Sequence, residues 1–110
     1  GVQQRAGDRH DGLSDSEYEI LVDLALGLTD KAIAKRQGIS LRSAQIHLQH
    51  LYEKLHVSPD DERHGEWGPP FNSRTRAVYL AFSRGLLNPG SLGREDRRLA
   101  AWLSALGRHD

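Results

Sequence analysis

The link between two amphipathic stretches, one opening at Thr29 and one running on to Val57, is Gly38-Ile39-Ser40, and its brevity constrains the fold more than any other feature. Two helices joined by about three residues have to pack on one another and share a core. Each linking residue suits that task. Gly38 tolerates the left-handed backbone that follows a helix end, Ile39 turns toward the core, and Ser40 can cap the next helix. Thr29 is placed to cap the first, whose apolar side is Ile33 and Ala34.

The second helix of the pair separates into two faces. Ala44, Leu48, Leu51 and Leu55 recur at i, i+4, i+7 and i+11, one narrow stripe for the core. At about 100° per residue, Arg42, Ile46, Gln49 and Glu53 point the other way, with Gln45 and His50 on the flanks. A merely solvated face would carry long charges throughout. Two amides four residues apart, an aliphatic side chain and an arginine near the N-terminus suit base edges instead. Glutamine bonds adenine N6 and N7, arginine forks to guanine, and an aliphatic group meets a thymine methyl.

The segments LSDSEYEIL (Leu13 to Leu21), GLTDKAIAKRQGIS (Gly27 to Ser40), RSAQIHLQHLYEKLHV (Arg42 to Val57) and SRTRAVYLAFSRGLL (Ser73 to Leu87) resemble the LuxR-type, GerE-like helix-turn-helix of bacterial transcription regulators. The resemblance implies a recognition helix lying in the major groove, with Gln45, Ile46 and Gln49 at the base-reading positions. It also implies backbone contacts from Thr29, Lys31, Ser43 and Arg74, to which the exposed position of Arg42 adds a fifth. The chain departs from the family at Ala32, where glutamate is usual, and at Ser43, Ala44 and Gln45, where Thr-Val-Lys is usual. The lysine lost at Gln45 is a cationic contact, and the glutamate lost at Ala32 is a capping-box partner for Thr29.

The fold class expected is all-α, a small helical bundle of four core helices containing the helix-turn-helix, with a C-terminal amphipathic helix added. Residues 1–12 read as a flexible tail or linker, 13–87 as the LuxR-type domain and 88–110 as the extension. Ser14 and Glu17 form the S-x-x-E capping box of the first helix, with Leu13 and Tyr18 as its staple, while Leu21, Leu24, Ala25 and Leu28 face the core and Gly27 ends it. Its acids Asp15, Glu17, Glu19 and Asp23 read as an outer face.

A loop at 58–72, carrying Pro59, Pro69 and Pro70, interrupts the family pattern, and its Trp67 and Phe71 are expected to bury against the body. The fourth helix offers Ala77, Val78, Ala81 and Gly85 to the core and leaves Tyr79, Phe82 and Leu86 as a second stripe. Beyond the breaker Asn88-Pro89-Gly90, the segment Arg94 to Leu106 sets Leu99, Trp102, Leu103 and Leu106 on one face. That helix either folds back over Tyr79 and Phe82 or pairs with a second copy. Tyr79, Phe82, Leu86, Leu99, Trp102 and Leu106 are therefore the candidate dimer or partner contacts.

Composition narrows the function. With 110 residues, 37% hydrophobic, the chain is one small domain without room for a catalytic one. It has no cysteine and no apolar run of membrane-spanning length, so a soluble, cytoplasmic protein is expected. Net charge is +0, yet from Thr29 to Val57 five basic residues meet two acids, and Ser73 to Leu87 holds three arginines and no acid. That local basic face is what a phosphate backbone needs. His47, His50 and Glu53 imitate a metal site, but no further ligand is evident, and no nucleophile motif or glycine-rich phosphate loop is present. The expectation is a non-enzymatic, cofactor-free reader of double-stranded DNA that regulates transcription as a homodimer and takes no part at membranes. The alternative is a protein-interaction module on the same fold, its partner held by the inserted loop or the C-terminal helix.

Overall fold

Each start signal in the sequence opens a helix in the computed structural model, which describes residues 12–57 and 71–107. Among the described residues the regular elements are all helical: α1 Asp15–Ala25, α2 Asp30–Gln37, α3 Leu41–Lys54, α4 Ser73–Ser83 and α5 Pro89–Gly107. Apart from Gly12, the expected tail lies outside the described residues, as does the expected inserted loop up to Pro70.

The caps are local and form as expected. Ser14 Oγ accepts from the Glu17 N–H at 3.1 Å while Glu17 Oε1 accepts from the Ser14 N–H at 2.9 Å, completing the capping box. Thr29 Oγ1 accepts from the Ala32 N–H at 3.2 Å, and Ser40 Oγ from the Ser43 N–H at 3.0 Å. Gly38 closes α2 at φ 71°, a backbone few side chains adopt without cost. At the end of α3 the same left-handed position falls to His56, at φ 62°. Its N–H donates to the Glu53 carbonyl and that of Val57 to the Tyr52 carbonyl, so the last turn is closed without a glycine.

Burial follows the periodicity. Leu13, Ile20, Leu21 and Leu24 meet Ile33 of α2 and the Ala44, Leu48, Leu51 and Leu55 stripe of α3 in one core. Ala44, Ala77 and Ala81 are fully buried, and their small side chains bring the backbones of α3 and α4 close to that core.

Several expectations need correction. Glu17 and Asp23 are not outer residues: they are 7% and 2% exposed, turned inward to meet cations from other helices. The Asn-Pro-Gly sequence does not break α5 but begins it. Proline suits a first helical position, having no N–H to leave unpaired, and Asn88 Oδ1 accepts from the Ser91 N–H at 2.9 Å as a cap. The helix therefore starts at Pro89 rather than Arg94.

It does not cover Tyr79 and Phe82, which stay 58% and 38% exposed. Instead Glu95 and Arg98 line a cleft with Tyr18, Val22, Asp23 and Arg36, and the Arg36 guanidinium lies 6.0 Å from the Trp102 ring, so α5 sits against α1 and α2. Leu99 is buried within the chain, which removes it from the candidate partner contacts, whereas Leu103, expected on the same apolar face, is 53% exposed. Leu86 and Trp102 are half-buried against the core. Gly85 lies past the end of α4 and is exposed, and Phe71 is not sunk in the body but 37% exposed beneath the Arg76 guanidinium.

Candidate nucleic-acid interface

Two internal ion pairs fix the helix pair on its support. Asp23 of α1 accepts from Arg36 Nη1 at 2.7 Å and from Gln37 Nε2 at 2.9 Å, tying α1 to the end of α2. Glu17 accepts from Lys54 Nζ at 2.7 Å, tying the start of α1 to the end of α3. Burial pushes the Asp23 carboxyl above its ordinary value, and the Gln37 and Arg36 hydrogen bonds only partly offset that. Burial also pushes Glu17 up, but the hydrogen bonds from Lys54 and Ser14 outweigh it and hold the group below its ordinary 4.5.

The two carboxyls therefore respond oppositely to acid. Glu17, with its folded value depressed, contributes stability present above 4.5 and lost as pH falls through its folded value. Asp23, with its folded value raised, contributes stability at acid pH that fades as pH climbs through that value. Glu17→Gln is accordingly expected to be less stable than the parent at pH 7 and to lose less between pH 5 and pH 3. Urea denaturation at the three pH values measures it, and parallel losses in both proteins would contradict the assignment.

The outward face of α3 is open. Gln45, Ile46 and Gln49 are exposed, Ile46 by 45%, while Ala44, Leu48 and Leu51 on the opposite side are sealed. Arg42 is exposed at its N-terminal end and Lys31 projects from the first turn of α2, and neither has an ionic partner among the described residues. Thr29 is exposed, and Ser43 is half-buried with its hydroxyl oxygen 3.0 Å from that of Ser40.

Arg74 is committed differently. Its guanidinium bonds Asp30 and the Leu28 carbonyl, and so pins α4 to the N-terminus of α2. Tyr52 lies close enough to feel Arg74 and Asp30, and burial raises its phenol above 10. Arg84 Nη2 donates to the Leu55 carbonyl at 3.0 Å, a cation at the negative end of α3.

The basic face is thus thinner than the sequence suggests. Lys54, Arg36 and Arg74 are each paired with an acid, leaving Lys31, Lys35 and Arg42 as cations of the helix pair without an ionic partner among the described residues. What sequence reasoning missed is Leu41, 36% exposed at the first position of α3. It lines an open hollow of about 620 Å³ with Thr29, Lys31, Gln45 and Arg74. The only signal was its lone apolar character at a helix start.

His47 is half-buried and His50 exposed, and among the described residues no three metal-ligating side chains converge. No helix among those residues is long and apolar enough to cross a membrane. A ridge of amides and one aliphatic group, flanked by cations, can present hydrogen-bond donors, acceptors and a methyl contact to base edges in a groove.

The profile of bacterial regulatory proteins of the luxR family matches residues 11–62. The chain is 45% identical over 51 residues to the probable transcriptional regulatory protein SgaR of Hyphomicrobium methylovorum, covering 46% of this chain and 24% of that protein. It is 35% identical over 75 residues to the transcriptional regulatory protein YdfI of Bacillus subtilis, covering 68% of this chain and 29% of that protein. The matched stretches thus span under a third of these relatives. No solved structure matches significantly. Residues 11–62 thus carry a helix-turn-helix similar to that of the luxR family of bacterial regulatory proteins, of the GerE type.

Proposed function

We propose that the protein is a sequence-specific, double-stranded DNA-binding transcription regulator, or the DNA-binding part of one, working in the bacterial cytoplasm without chemistry or cofactor. The observation that carries this reading is the open ridge of Gln45, Ile46 and Gln49 on a helix whose other side is sealed into the core. In a groove, Gln45 and Gln49 would bond adenine edges and Ile46 a thymine methyl. Thr29, Lys31, Arg42 and Ser43 would hold phosphates beside it. Arg74 would serve by setting the N-terminus of α2, since its guanidinium is already engaged. Tyr79 and Phe82, exposed on α4, are the contacts proposed for a homodimer, which would present two α3 helices one DNA turn apart, ~34 Å.

Gln49→Ala tests the base-reading assignment. Measured by fluorescence titration, it is expected to cost about 1–3 kcal/mol on a duplex selected from a random pool and almost nothing on unselected duplex. Equal losses on both would contradict the role.

A second reading, an interaction module that has lost DNA recognition, is favoured by the internal pairing of Lys54, Arg36 and Arg74 and by the exposed aromatics of α4. Titrating the unmodified chain with random duplex at two salt concentrations decides between them. A reader using Lys31 and Arg42 should show a log–log salt slope of roughly −2 per protomer. No binding at low salt and high protein concentration would favour the module.

A further inference from the structure

The geometry points to Leu41 as a fourth base-reading residue, recognising the 5-methyl group of a thymine beside the base met by Gln45. This rests on the DNA-binding reading and names one more chemical group that the same site selects. Leu41 opens α3 and is 36% exposed, and a single exposed leucine would by itself mean little. Its neighbours give it meaning.

Leu41 and Gln45 stand one turn apart, so their side chains lie side by side on the helix surface. Both line the hollow whose other wall carries Thr29, Lys31 and the Asp30 carboxylate, the last neutralised by Arg74. Lys31 has no ionic partner among the described residues, and Thr29 Oγ1 accepts from the Ala32 N–H, leaving its own O–H free to donate outward. Cation, hydroxyl and helix N-terminus together suit a phosphate at the rim. A strand held there carries its base edges inward to the N-terminal residues of the recognition helix, where an amide and an aliphatic side chain meet them next. The hollow is wide and open, so the described residues leave the position empty. Among bases in the major groove only thymine offers a methyl group for leucine to cover, and the adenine of a neighbouring pair offers Gln45 its N6 and N7.

The alternative for an aliphatic group here is packing against deoxyribose, which would strengthen binding to every sequence alike. Replacing thymines one at a time by deoxyuridine separates the two, because only the methyl group is removed. The 110-residue chain and its Leu41→Ala and Leu41→Gln variants are titrated against a duplex selected from a random pool, its single-deoxyuridine versions and an unselected duplex. One thymine is expected to lose the parent protein about fourfold in affinity when demethylated, the effect of one buried methylene. Both variants should lose the same factor on the unaltered duplex and be indifferent to demethylation at that position.

Variants that stay as sensitive as the parent at every thymine, or that lose equally on selected and unselected duplex, would overturn the assignment while leaving the DNA-binding reading intact. A parent protein that binds no duplex would overturn both. Ile46→Ala, tested in parallel, should remove sensitivity at a different thymine.

Discussion

Asp23→Ala is expected to destabilise the protein by about 3–5 kcal/mol in urea or thermal denaturation, because it breaks a buried ion pair and leaves a cation without its partner. Asp23 is 2% exposed and the Arg36 side chain 15%, so water reaching Arg36 from the cleft replaces the lost carboxylate only in part. Small domains have only about 5–15 kcal/mol to lose, and a substantial unfolded fraction should follow at physiological temperature. The size of the loss reports an orphaned charge rather than the net value of the bridge. A double variant, Asp23→Leu with Arg36→Met, should therefore recover most of it. A loss below about 1 kcal/mol for Asp23→Ala would mean that the pair is solvated and does not hold α1 to α2.

Ile46→Glu should have the converse signature. At 45% exposed, Ile46 contributes little to the core, and surface substitutions of this kind change stability by roughly 0.5 kcal/mol. A carboxylate in the middle of the ridge, however, would face phosphates and acceptor-rich base edges in a groove. Like-charge contacts of that sort cost several kcal/mol, so affinity for every duplex should fall at least about thirtyfold. Circular dichroism shows whether the fold is retained, and fluorescence titration shows the loss. Retained folding with unchanged duplex affinity would place α3 outside the groove.

The helices were legible because their determinants are local. Ser14, Thr29 and Ser40 cap through bonds three residues away, and the Ala44 to Leu55 stripe repeats within one helix, so short windows contain the needed information. Pairings across the chain were not. Asp23 meets Arg36 thirteen residues on and Glu17 meets Lys54 thirty-seven on, and nothing in a helix pattern distinguishes a solvated acid from one awaiting a distant cation. The basic face was overestimated for that reason.

Asn88-Pro89-Gly90 was ambiguous for another reason. The same proline that cannot sit inside a helix is favoured at its first turn, and only the path of the chain decides which applies. On the reading face, the glutamines and Ile46 were visible from periodicity. Leu41 was not, since its meaning depends on the hollow formed with Thr29 and Lys31 on another helix.

Isotope-labelled protein titrated with a duplex selected from a random pool reports directly on which surface meets the DNA. The side-chain amide signals of Gln45 and Gln49, with the backbone amides from Leu41 to Gln49, are expected to shift most, while those of α5 from Leu99 to Gly107 hardly move. Large shifts confined to α4 or α5, with the Gln45 and Gln49 amides unchanged at saturation, would contradict a reading helix on α3.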